Sequence, residues 1–433
     1  MGQAGSAGAI APTLAGPRAI VAVTIGNAVE FYDFLIYSLF AIQIGAALFP
    51  PMTGSGNLVA SLGGFAIGFL ARPVGAYVIG RWSDVHGRKP AMVASMLLIG
   101  VANAGLAFIP SFAEIGWAAT VLAVLCRLLA GFALGGELGC NSAFLAEASD
   151  PERRGLTVSW QGTSQMIAVV AASGMAWLLA AVMSPADFTA FGWRIGIASG
   201  LVAIPVALWL RAGLTEPLPP GAEDVVAAAL SQPQRRRLIV GAFLILATGT
   251  IANYFLIYTA TFAQDTLKLP PEAGFAASTW SMAAGALALV LGGFLSDRWG
   301  RRPLLWLGAG SLAAAAWPAY AIILTVPGAG SLLWGSVLLG IAQNLGIGAL
   351  YVAMTEGLPR HWRGTGFGLL YAVAIGIFGG ATQPVLAWVL GRWQDPWLMA
   401  WAMLALGLVQ LVGAALVPET GPRRAPAYRP TAR

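Results

Sequence analysis

The chain has 433 residues, of which 58% are hydrophobic and only 10% are charged. Soluble domains carry about 25% charged residues, so this composition excludes an ordinary aqueous fold. The formal net charge of +6 could indicate a nucleic-acid partner, but the positions of the basic residues favour membrane topology instead.

Apolar runs of about twenty residues, the length that a membrane-spanning helix needs, recur along the chain. They predict an all-α integral membrane protein with twelve transmembrane helices in two pseudo-symmetric six-helix bundles. The predicted spans lie near 20–47, 58–79, 90–109, 116–146, 156–183, 193–210, 238–264, 274–294, 304–325, 332–355, 364–390 and 396–417. The first span lacks a clear cleavage signal, so we interpret it as a retained helix rather than a signal peptide.

A charged, proline-containing interruption divides the predicted spans six plus six. The expected organisation is an N-terminal bundle over residues 1–212, a cytoplasmic linker over 213–237, a C-terminal bundle over 238–420 and a cytoplasmic tail over 421–433. Most Lys and Arg residues fall in loops on one side of the membrane, which marks the cytoplasmic side. Both termini are therefore expected to be cytoplasmic.

Two loops reveal an internal repeat. The sequence Gly80–Pro90 after the second span matches Gly293–Pro303 after the eighth, and both contain Gly-x-x-x-Asp-x-x-Gly-Arg followed by a basic residue. Parallel six-helix repeats are expected of a transporter with its site at their interface near mid-membrane. A carboxylate near a helix N-terminus and arginines is favourable, which predicts gating contacts that form on one side and break when the halves rock. The residues predicted for this role are Asp84, Arg88, Asp297 and Arg301.

These repeated loops, in a chain of twelve spans, resemble the signature of the major facilitator superfamily. Residues 26–34, 71–75 and 127–132 resemble the metabolite–proton symporter family, and residues 159–165 and 191–194 are most similar to its citrate/tricarballylate branch. The resemblance implies a proton-coupled symporter of the bacterial inner membrane that imports a small carboxylate, such as citrate or tricarballylate, by alternating access. The alternatives are a symporter for a dicarboxylate, oxo acid, shikimate or betaine-type zwitterion, a proton-coupled exporter, and a non-transporting sensor.

Arg127 is the first candidate for contact with a substrate carboxylate. It lies in an apolar helical run, where a charged side chain normally faces a cavity or a partner, and its planar fork matches a carboxylate bidentately. The alternative is a structural ion pair with Glu30, Asp33 or Glu137, the acids well inside the spans. These three acids are also the candidates for the proton carrier, because burial raises the pKa of a carboxyl group. Arg72 is the other arginine within a predicted span, and we expect it near the cytoplasmic end of span 58–79.

Neutral polar side chains at helical spacing are expected to complete a substrate pocket, because residues three, four or seven apart share a helix face. The alternative is that they join helices by hydrogen bonds. The candidates are Asn27, Gln161, Gln165, Tyr254, Tyr258, Asn344 and Tyr351.

The sequence favours no enzyme activity. It contains no Walker-type phosphate loop and no intramembrane cluster with metal-ligand spacing. We therefore expect no cofactor and no metal, with the proton gradient as the driving force. The expected partners are a small anionic metabolite, protons and the lipid bilayer, without nucleic acid, and the chain is expected to be a monomer.

Overall fold

The computed structural model describes residues 17–51, 56–213, 227, 230–326 and 328–421. Within these ranges the chain is helical and contains no strand. The first half comprises α1 (Pro17–Leu39), α2 (Ala41–Leu48), α3 (Gly56–His86), α4 (Arg88–Phe108), α5 (Phe112–Ile115), α6 (Trp117–Glu147), α7 (Arg154–Val182), α8 (Pro185–Asp187) and α9 (Trp193–Ala212). The second half comprises α10 (Gln232–Asp265), α11 (Pro271–Trp299), α12 (Arg301–Thr325), α13 (Ala329–Asn344), α14 (Ile347–Gly357), α15 (Arg360–Trp393) and α16 (Leu398–Leu416).

The helices agree with the predicted twelve spans. Within the described residues, ten helical segments are long and apolar enough to cross a membrane by length and composition. The remaining two spans are supplied by α3, with 31 residues, and α7, with 29 residues. The first span consists of α1 and α2, and the tenth consists of α13 and α14.

Close packing between α3 and α6 depends on glycines of α6. A Cβ atom on Gly131 would lie 1.8 Å from the carbonyl oxygen of Gly68, and one on Gly135 would lie 2.1 Å from that of Arg72. Any side chain at either position would therefore push the two helices apart, which is why small residues mark close helix contacts in membranes. This packing brings the backbone of Arg72 against the α6 face that carries Arg127 about two turns earlier.

The tenth span is interrupted beside the centre of the molecule. Helix α13 ends at Asn344, and α14 begins at Ile347 after a two-residue turn. The turn packs tightly, since a Cβ on Gly292 of α11 would lie 1.9 Å from the carbonyl oxygen of Leu345, and one on Gly308 of α12 would lie 2.5 Å from the amide nitrogen of Gly346. Discontinuous helices of this kind accompany central binding sites in many transporters.

Helix α10 begins inside the predicted linker 213–237. The hydroxyl and amide of Ser231 form a capping box with Gln234, whose side-chain oxygen lies 2.9 Å from the Ser231 amide nitrogen. This cap starts the helix at Gln232, so the basic run Arg235–Arg237 belongs to its first turns rather than to a loop. Residues 214–226 and 422–433 lie outside the described residues, so the predicted limits of linker and tail stay predictions.

Candidate functional site

A cavity of about 120 Å³ lies between the two halves, near the middle of the long helices. Helices α1, α3 and α7 line it from the first half, and α10, α11, α13, α14 and α15 line it from the second. Its polar and aromatic lining residues are Phe31, Phe34, Arg72, Gln165, Thr250, Asn253, Tyr254, Asn344, Tyr351 and Tyr371. The remaining lining is mostly aliphatic, so the polar groups can orient a small ligand in an otherwise apolar space.

Arg72 is the cation of this cavity. Its side chain is 2% exposed, and its Cζ lies 4.2 Å from the ring centroid of Phe34 and 4.3 Å from that of Phe69. Among the residues that the structure describes, Arg72 forms no ion pair with a carboxylate, and its Nε has no hydrogen-bond partner. Two aromatic faces stabilise the charge electrostatically, while the Nε donor of the guanidinium is left for a ligand.

The prediction that Arg72 lies near the end of its span was wrong. Helix α3 continues beyond residue 79 to His86, so Arg72 lies near the middle of a 31-residue helix. The helix continues because Asp84 in its last turns finds protein partners, described below, instead of lipid. The aliphatic run alone therefore underestimates the length of this helix.

Arg127 lies close to Arg72 but does not line the cavity. It is 1% exposed, and its Cζ lies 4.7 Å from the Phe34 centroid and 4.6 Å from the Tyr37 centroid. Because both guanidinium groups contact the Phe34 ring, their Cζ atoms are at most about 9 Å apart. At an effective dielectric constant of about 20, two such charges repel by about 2 kcal/mol. A nearby anion would therefore stabilise this part of the protein.

Several polar atoms at the cavity lack a partner in the described part of the chain. Besides Arg72 Nε, they are Gln165 Nε2, Asn253 Oδ1 and Asn344 Oδ1. Two of these side-chain amides are oriented by a hydrogen bond of their other polar atom. Asn344 Nδ2 donates to the Gly340 carbonyl oxygen at 2.9 Å, and Gln165 Oε1 accepts from Tyr371. Buried polar atoms are normally paired, so this concentration of unpaired donors and acceptors indicates a site for a polar ligand.

The predicted pocket residues divide into two groups. Four of them line the cavity, namely Gln165, Tyr254, Asn344 and Tyr351. The other neutral candidates do not: Tyr258 packs in the hydrophobic core of the second half, and Asn27 and Gln161 belong to a buried network. In that network Asn27 donates to Ser164 Oγ at 2.6 Å, while Gln161 and Asn141 donate to Asn27 Oδ1 at 3.0 and 3.3 Å. Their position fits the alternative interpretation, hydrogen bonding between α1, α6 and α7.

The three acids considered for proton coupling are buried outside the cavity lining. Glu30 and Asp33 are each 1% exposed and Glu137 is fully buried. Asp33 lies inside the first half, with Asn103 of α4 and Arg127 of α6 as its polar neighbours. It also contacts α9 so closely that a Cβ on Gly200 would lie 1.6 Å from Asp33 Oδ1. The structure thus links Asp33 electrostatically to Arg127.

The residues predicted for gating close one end of the molecule. Asp84 of α3 accepts hydrogen bonds from the backbone amides of Gly364 and Thr365 in α15, at 3.0 and 2.9 Å. Arg88 contacts Asp84 and pairs with Glu147 at 2.9 Å. Glu147 in turn pairs with Arg363 of α15 at 3.0 Å. A carboxylate therefore sits near a helix N-terminus of the opposite half, where the helix dipole favours it.

The second half repeats this arrangement. Asp297 of α11 accepts from the amides of Gly155 and Leu156 in α7, at 2.8 and 2.9 Å. Arg301 pairs with Asp297 at 2.6 Å and with Glu356 at 3.0 Å. We call the two sets together, Asp84 with residues 364–365 and Asp297 with residues 155–156, the closed end.

Three residues that line the cavity were not predicted as site residues from the sequence. Arg72 was assigned to the edge of its span, and Tyr371 and Asn253 were not selected, although all three line the cavity. A signal for Asn253 exists, because Leu246, Thr250, Asn253 and Ile257 follow one another at helical spacing on α10. We found no such periodic signal for Tyr371, which is identified by its contacts with Gln165 and Tyr351 in the folded chain. Within the described residues, no group of three His, Cys, Asp or Glu side chains could hold a metal ion.

Comparison with known proteins adds the following similarities. Residues 34–381 match the profile of the Major Facilitator Superfamily. The chain is 34% identical over 382 residues to a citrate-proton symporter of Klebsiella pneumoniae, covering 86% of this chain and 85% of that protein. It is 32% identical over 381 residues to the alpha-ketoglutarate permease of Escherichia coli K12, covering 85% and 86%.

The chain is also similar to a more distant relative and to a solved structure. A proline/betaine transporter of Escherichia coli K12 is 27% identical over 422 residues, covering 94% of this chain and 84% of that protein. Among solved structures, the proton:xylose symporter XylE bound to 6-bromo-6-deoxy-D-glucose matches with a TM-score of 0.77 at 16% identity, covering 93% of this chain and 96% of that chain. At that identity the structural match shows the fold alone.

Proposed function

The chain belongs to the major facilitator superfamily, and we propose that it imports a small carboxylate together with protons through the cavity around Arg72. The observation that carries this proposal is Arg72 itself, a buried guanidinium at the interface of the two halves without a carboxylate partner among the described residues. A permanent cation in the membrane interior is costly and normally meets an anion. A substrate carboxylate supplies that anion and can form two parallel hydrogen bonds to the fork.

Citrate is the substrate that we favour. The unpaired atoms of the cavity include donors, Arg72 Nε and Gln165 Nε2, and acceptors, Asn253 Oδ1 and Asn344 Oδ1. Citrate offers carboxylate oxygens to the donors and a hydroxyl hydrogen to the acceptors, and a partly protonated citrate offers further hydrogens. One arginine also matches a partly protonated form better than a trianion. The similarity to a citrate-proton symporter supports the same choice.

A betaine-type zwitterion is the second candidate. The aromatic side chains of Tyr254, Tyr351 and Tyr371 at the cavity could bind a quaternary ammonium group by cation–π interactions, while Arg72 binds its carboxylate. The similarity to a proline/betaine transporter is consistent with this alternative. Such a ligand has no hydrogen-bond donor for the acceptor atoms of Asn253 and Asn344, which is why we place it second.

For the proton we favour Asp33 among the three acids. In the ionised state Asp33 offers Arg127 a negative charge, which offsets part of the positive charge of the two arginines. A proton on Asp33 removes that charge and leaves both arginines without it, which strengthens the attraction for a substrate anion at Arg72. The cycle then carries proton and anion together, because the occupied site is nearer to neutrality than the site with either alone.

The remaining features of the proposal follow from the predicted topology. The closed end would face the cytoplasm, because its loops carry the basic residues that mark that side. Opening this end and closing the other would alternate the access to the cavity. We further propose that the chain acts as a monomer in the bacterial inner membrane, with both termini cytoplasmic.

Uptake of labelled citrate into proteoliposomes with an imposed pH gradient, acidic outside, tests the proposal. We expect accumulation that a protonophore abolishes. Unlabelled 2-oxoglutarate, shikimate and glycine betaine are then added as competitors. Stronger competition by betaine than by citrate would assign the second candidate, and no uptake or competition by any carboxylate would refute carboxylate import.

A further inference from the structure

The ring of Phe34 contacts two guanidinium groups, and the proposed function assigns it no role. The Cζ atoms of Arg72 and Arg127 lie 4.2 and 4.7 Å from its centroid. Arg72 lines the cavity, whereas Arg127 lies inside the first half with Asp33 as an electrostatic neighbour. Phe34 directly follows Asp33 in α1, is itself 4% exposed and lines the cavity. It therefore connects the surroundings of the proposed proton carrier with the proposed substrate site.

We propose that Phe34 is a positioning residue that couples the charge on Asp33 to the binding of the substrate carboxylate at Arg72. This inference rests on the proposed symport function and extends it. The negative face of an aromatic ring attracts a cation, so one ring can hold two arginines close together despite their repulsion. The buried ring also keeps water from between them, and charges interact more strongly where water is excluded.

The consequence is a direct link between the two events of transport. When Asp33 takes up a proton, Arg127 loses a nearby negative charge, and the repulsion between the two arginines is offset less. A substrate carboxylate at Arg72 then restores the balance. Without the ring, each arginine could move or become hydrated independently, so proton uptake would no longer change the affinity for the substrate.

Other charged and titratable groups surround this arrangement. Tyr32 on α1 interacts electrostatically with Asp33, while Tyr37 on α1 and Cys126 on α6 interact with Arg127. Asn103 of α4 is an uncharged polar neighbour of Asp33, and α9 presents Gly200 to it. Glu30 lies about one helical turn before Asp33 on α1. A substitution at Phe34 leaves all of these charged and titratable groups in the chain, so an effect on coupling would be attributable to the loss of the ring.

The neighbouring aromatic residue Phe69 provides a matched control. Its centroid lies 4.3 Å from Arg72 Cζ and 5.3 Å from the Phe34 centroid, so it supports the same guanidinium from another side. Phe69→Leu should therefore weaken substrate binding without separating it from proton uptake. Phe34→Tyr keeps the aromatic face and should retain coupling, whereas Phe34→Leu removes the face and retains an apolar side chain.

The experiment compares two rates in proteoliposomes, citrate uptake driven by a pH gradient and citrate counterflow without a gradient. We expect Phe34→Leu to lower the ratio of driven uptake to counterflow about tenfold, the scale of a desolvated cation–π contact. Phe34→Tyr should keep the wild-type ratio, and Phe69→Leu should lower both rates in proportion. If Phe34→Leu does not fold, Phe34→Met, an unbranched apolar side chain, replaces it with the same expectation.

An unchanged ratio in Phe34→Leu or Phe34→Met would overturn the coupling role, as would an equal change of the ratio in Phe69→Leu. The failure of the proposed function looks different, because wild-type protein would then transport no carboxylate in either assay. Active wild-type protein with an unchanged ratio in the variants would refute only the role of Phe34.

Discussion

The hydroxyl group of Tyr371 donates a hydrogen bond of 2.9 Å to Oε1 of Gln165, and the two residues belong to opposite halves of the chain. Both side chains line the central cavity, Gln165 from α7 and Tyr371 from α15. When the halves rock against each other, α7 and α15 change their separation, so this bond reports how the two halves are arranged around the cavity. The bond also orients the Gln165 amide: because Oε1 faces Tyr371, the Nε2 donor faces away from it.

Tyr371→Phe should weaken substrate binding by removing this bond. A neutral hydrogen bond contributes about 0.5–1.5 kcal/mol, so we expect the Kd for citrate to rise about three- to tenfold. Equilibrium binding of labelled citrate to purified protein measures it. Tyr320→Phe is the control, since Tyr320 is buried in the hydrophobic core of the second half, away from the cavity lining. Equal affinities of Tyr371→Phe and wild type would show that the bond does not contribute to the site.

Replacement of Arg72 should have a larger effect. Hydrogen bonds to charged groups contribute about 1.5–3 kcal/mol, so Arg72→Gln should lower the citrate affinity by about a hundredfold. Arg72→Lys keeps the charge but loses the planar fork, and an intermediate loss is expected. The same binding assay measures both variants.

Arg81→Gln provides the control for the charge at Arg72, because Arg81 lies on the same helix with an exposed side chain. Wild-type affinity is expected for it. If Arg72→Gln bound citrate as tightly as Arg81→Gln does, Arg127 or another group would have to bind the carboxylate.

Asp33→Asn should separate proton coupling from exchange. The amide is close in size to the carboxyl group but cannot exchange a proton, so uptake driven by a pH gradient should fall to background while citrate counterflow continues. Glu30→Gln and Glu137→Gln are the comparison variants, because both acids are as deeply buried as Asp33 and are the other two candidates for the proton carrier. Loss of driven uptake in Glu30→Gln with full activity in Asp33→Asn would move the proton role to Glu30.

The closed end should loosen when Asp297 loses its charge. Its two bonds to the amides of Gly155 and Leu156 cross between the halves, and Arg301 adds an ion pair. Asp297→Asn weakens all three, and each charged hydrogen bond contributes about 1.5–3 kcal/mol. Electron–electron distance measurements between spin labels at the exposed positions 81 and 298 should then show a larger population of long distances.

Asp395→Asn is the control for this measurement, because the Asp395 side chain accepts a local bond, from the amide of Trp397 at 3.0 Å. Its distance distribution should match that of the wild type carrying the same labels. An unchanged distribution in Asp297→Asn would mean that apolar packing alone keeps this end closed.

The fold could be predicted from the sequence because its signals are local and repeated. Runs of about twenty apolar residues require helices in a bilayer, and the duplicated loops at Asp84 and Asp297 show the two halves without any knowledge of contacts. The closed end follows from the same loops, because a carboxylate and an arginine four residues apart define one half of each contact. Their partners, such as Gly364 and Gly155, lie more than 140 residues away in the sequence and carry no local signal.

The cavity could be predicted only in part, since hydropathy does not show which face of a long helix meets which neighbour. Gln165 and Asn344 stand out because polar residues are rare in spans, but Asn27 and Gln161 stand out equally and instead bond between helices. Arg72 was misplaced because α3 extends through polar residues that pair with α15. The contact of both arginines with Phe34 depends on the packing of α1, α3 and α6 and has no counterpart in residue spacing.

Two glycines of α7 should respond differently to the same substitution. A Cβ on Gly155 would lie 2.5 Å from the carbonyl oxygen of Gly293 and 2.7 Å from Asp297 Oδ1, whereas one on Gly174 meets no atom within 4 Å. Gly155→Ala should therefore force α7 and α11 apart at the closed end and destabilise this arrangement by about 1–3 kcal/mol, the usual scale of overpacking. Gly174→Ala should be neutral or slightly stabilising, because alanine is the better helix former.

Citrate uptake and the distance between labels at positions 81 and 298 measure the two variants side by side. We expect Gly155→Ala to reduce driven uptake several-fold and to lengthen the label distance, as Asp297→Asn does, while Gly174→Ala matches the wild type in both. Because both substitutions add one methyl group to the same helix, a general effect on helix stability would appear in both. If Gly155→Ala kept the wild-type distances, the close approach of α7 and α11 would not be needed to close this end.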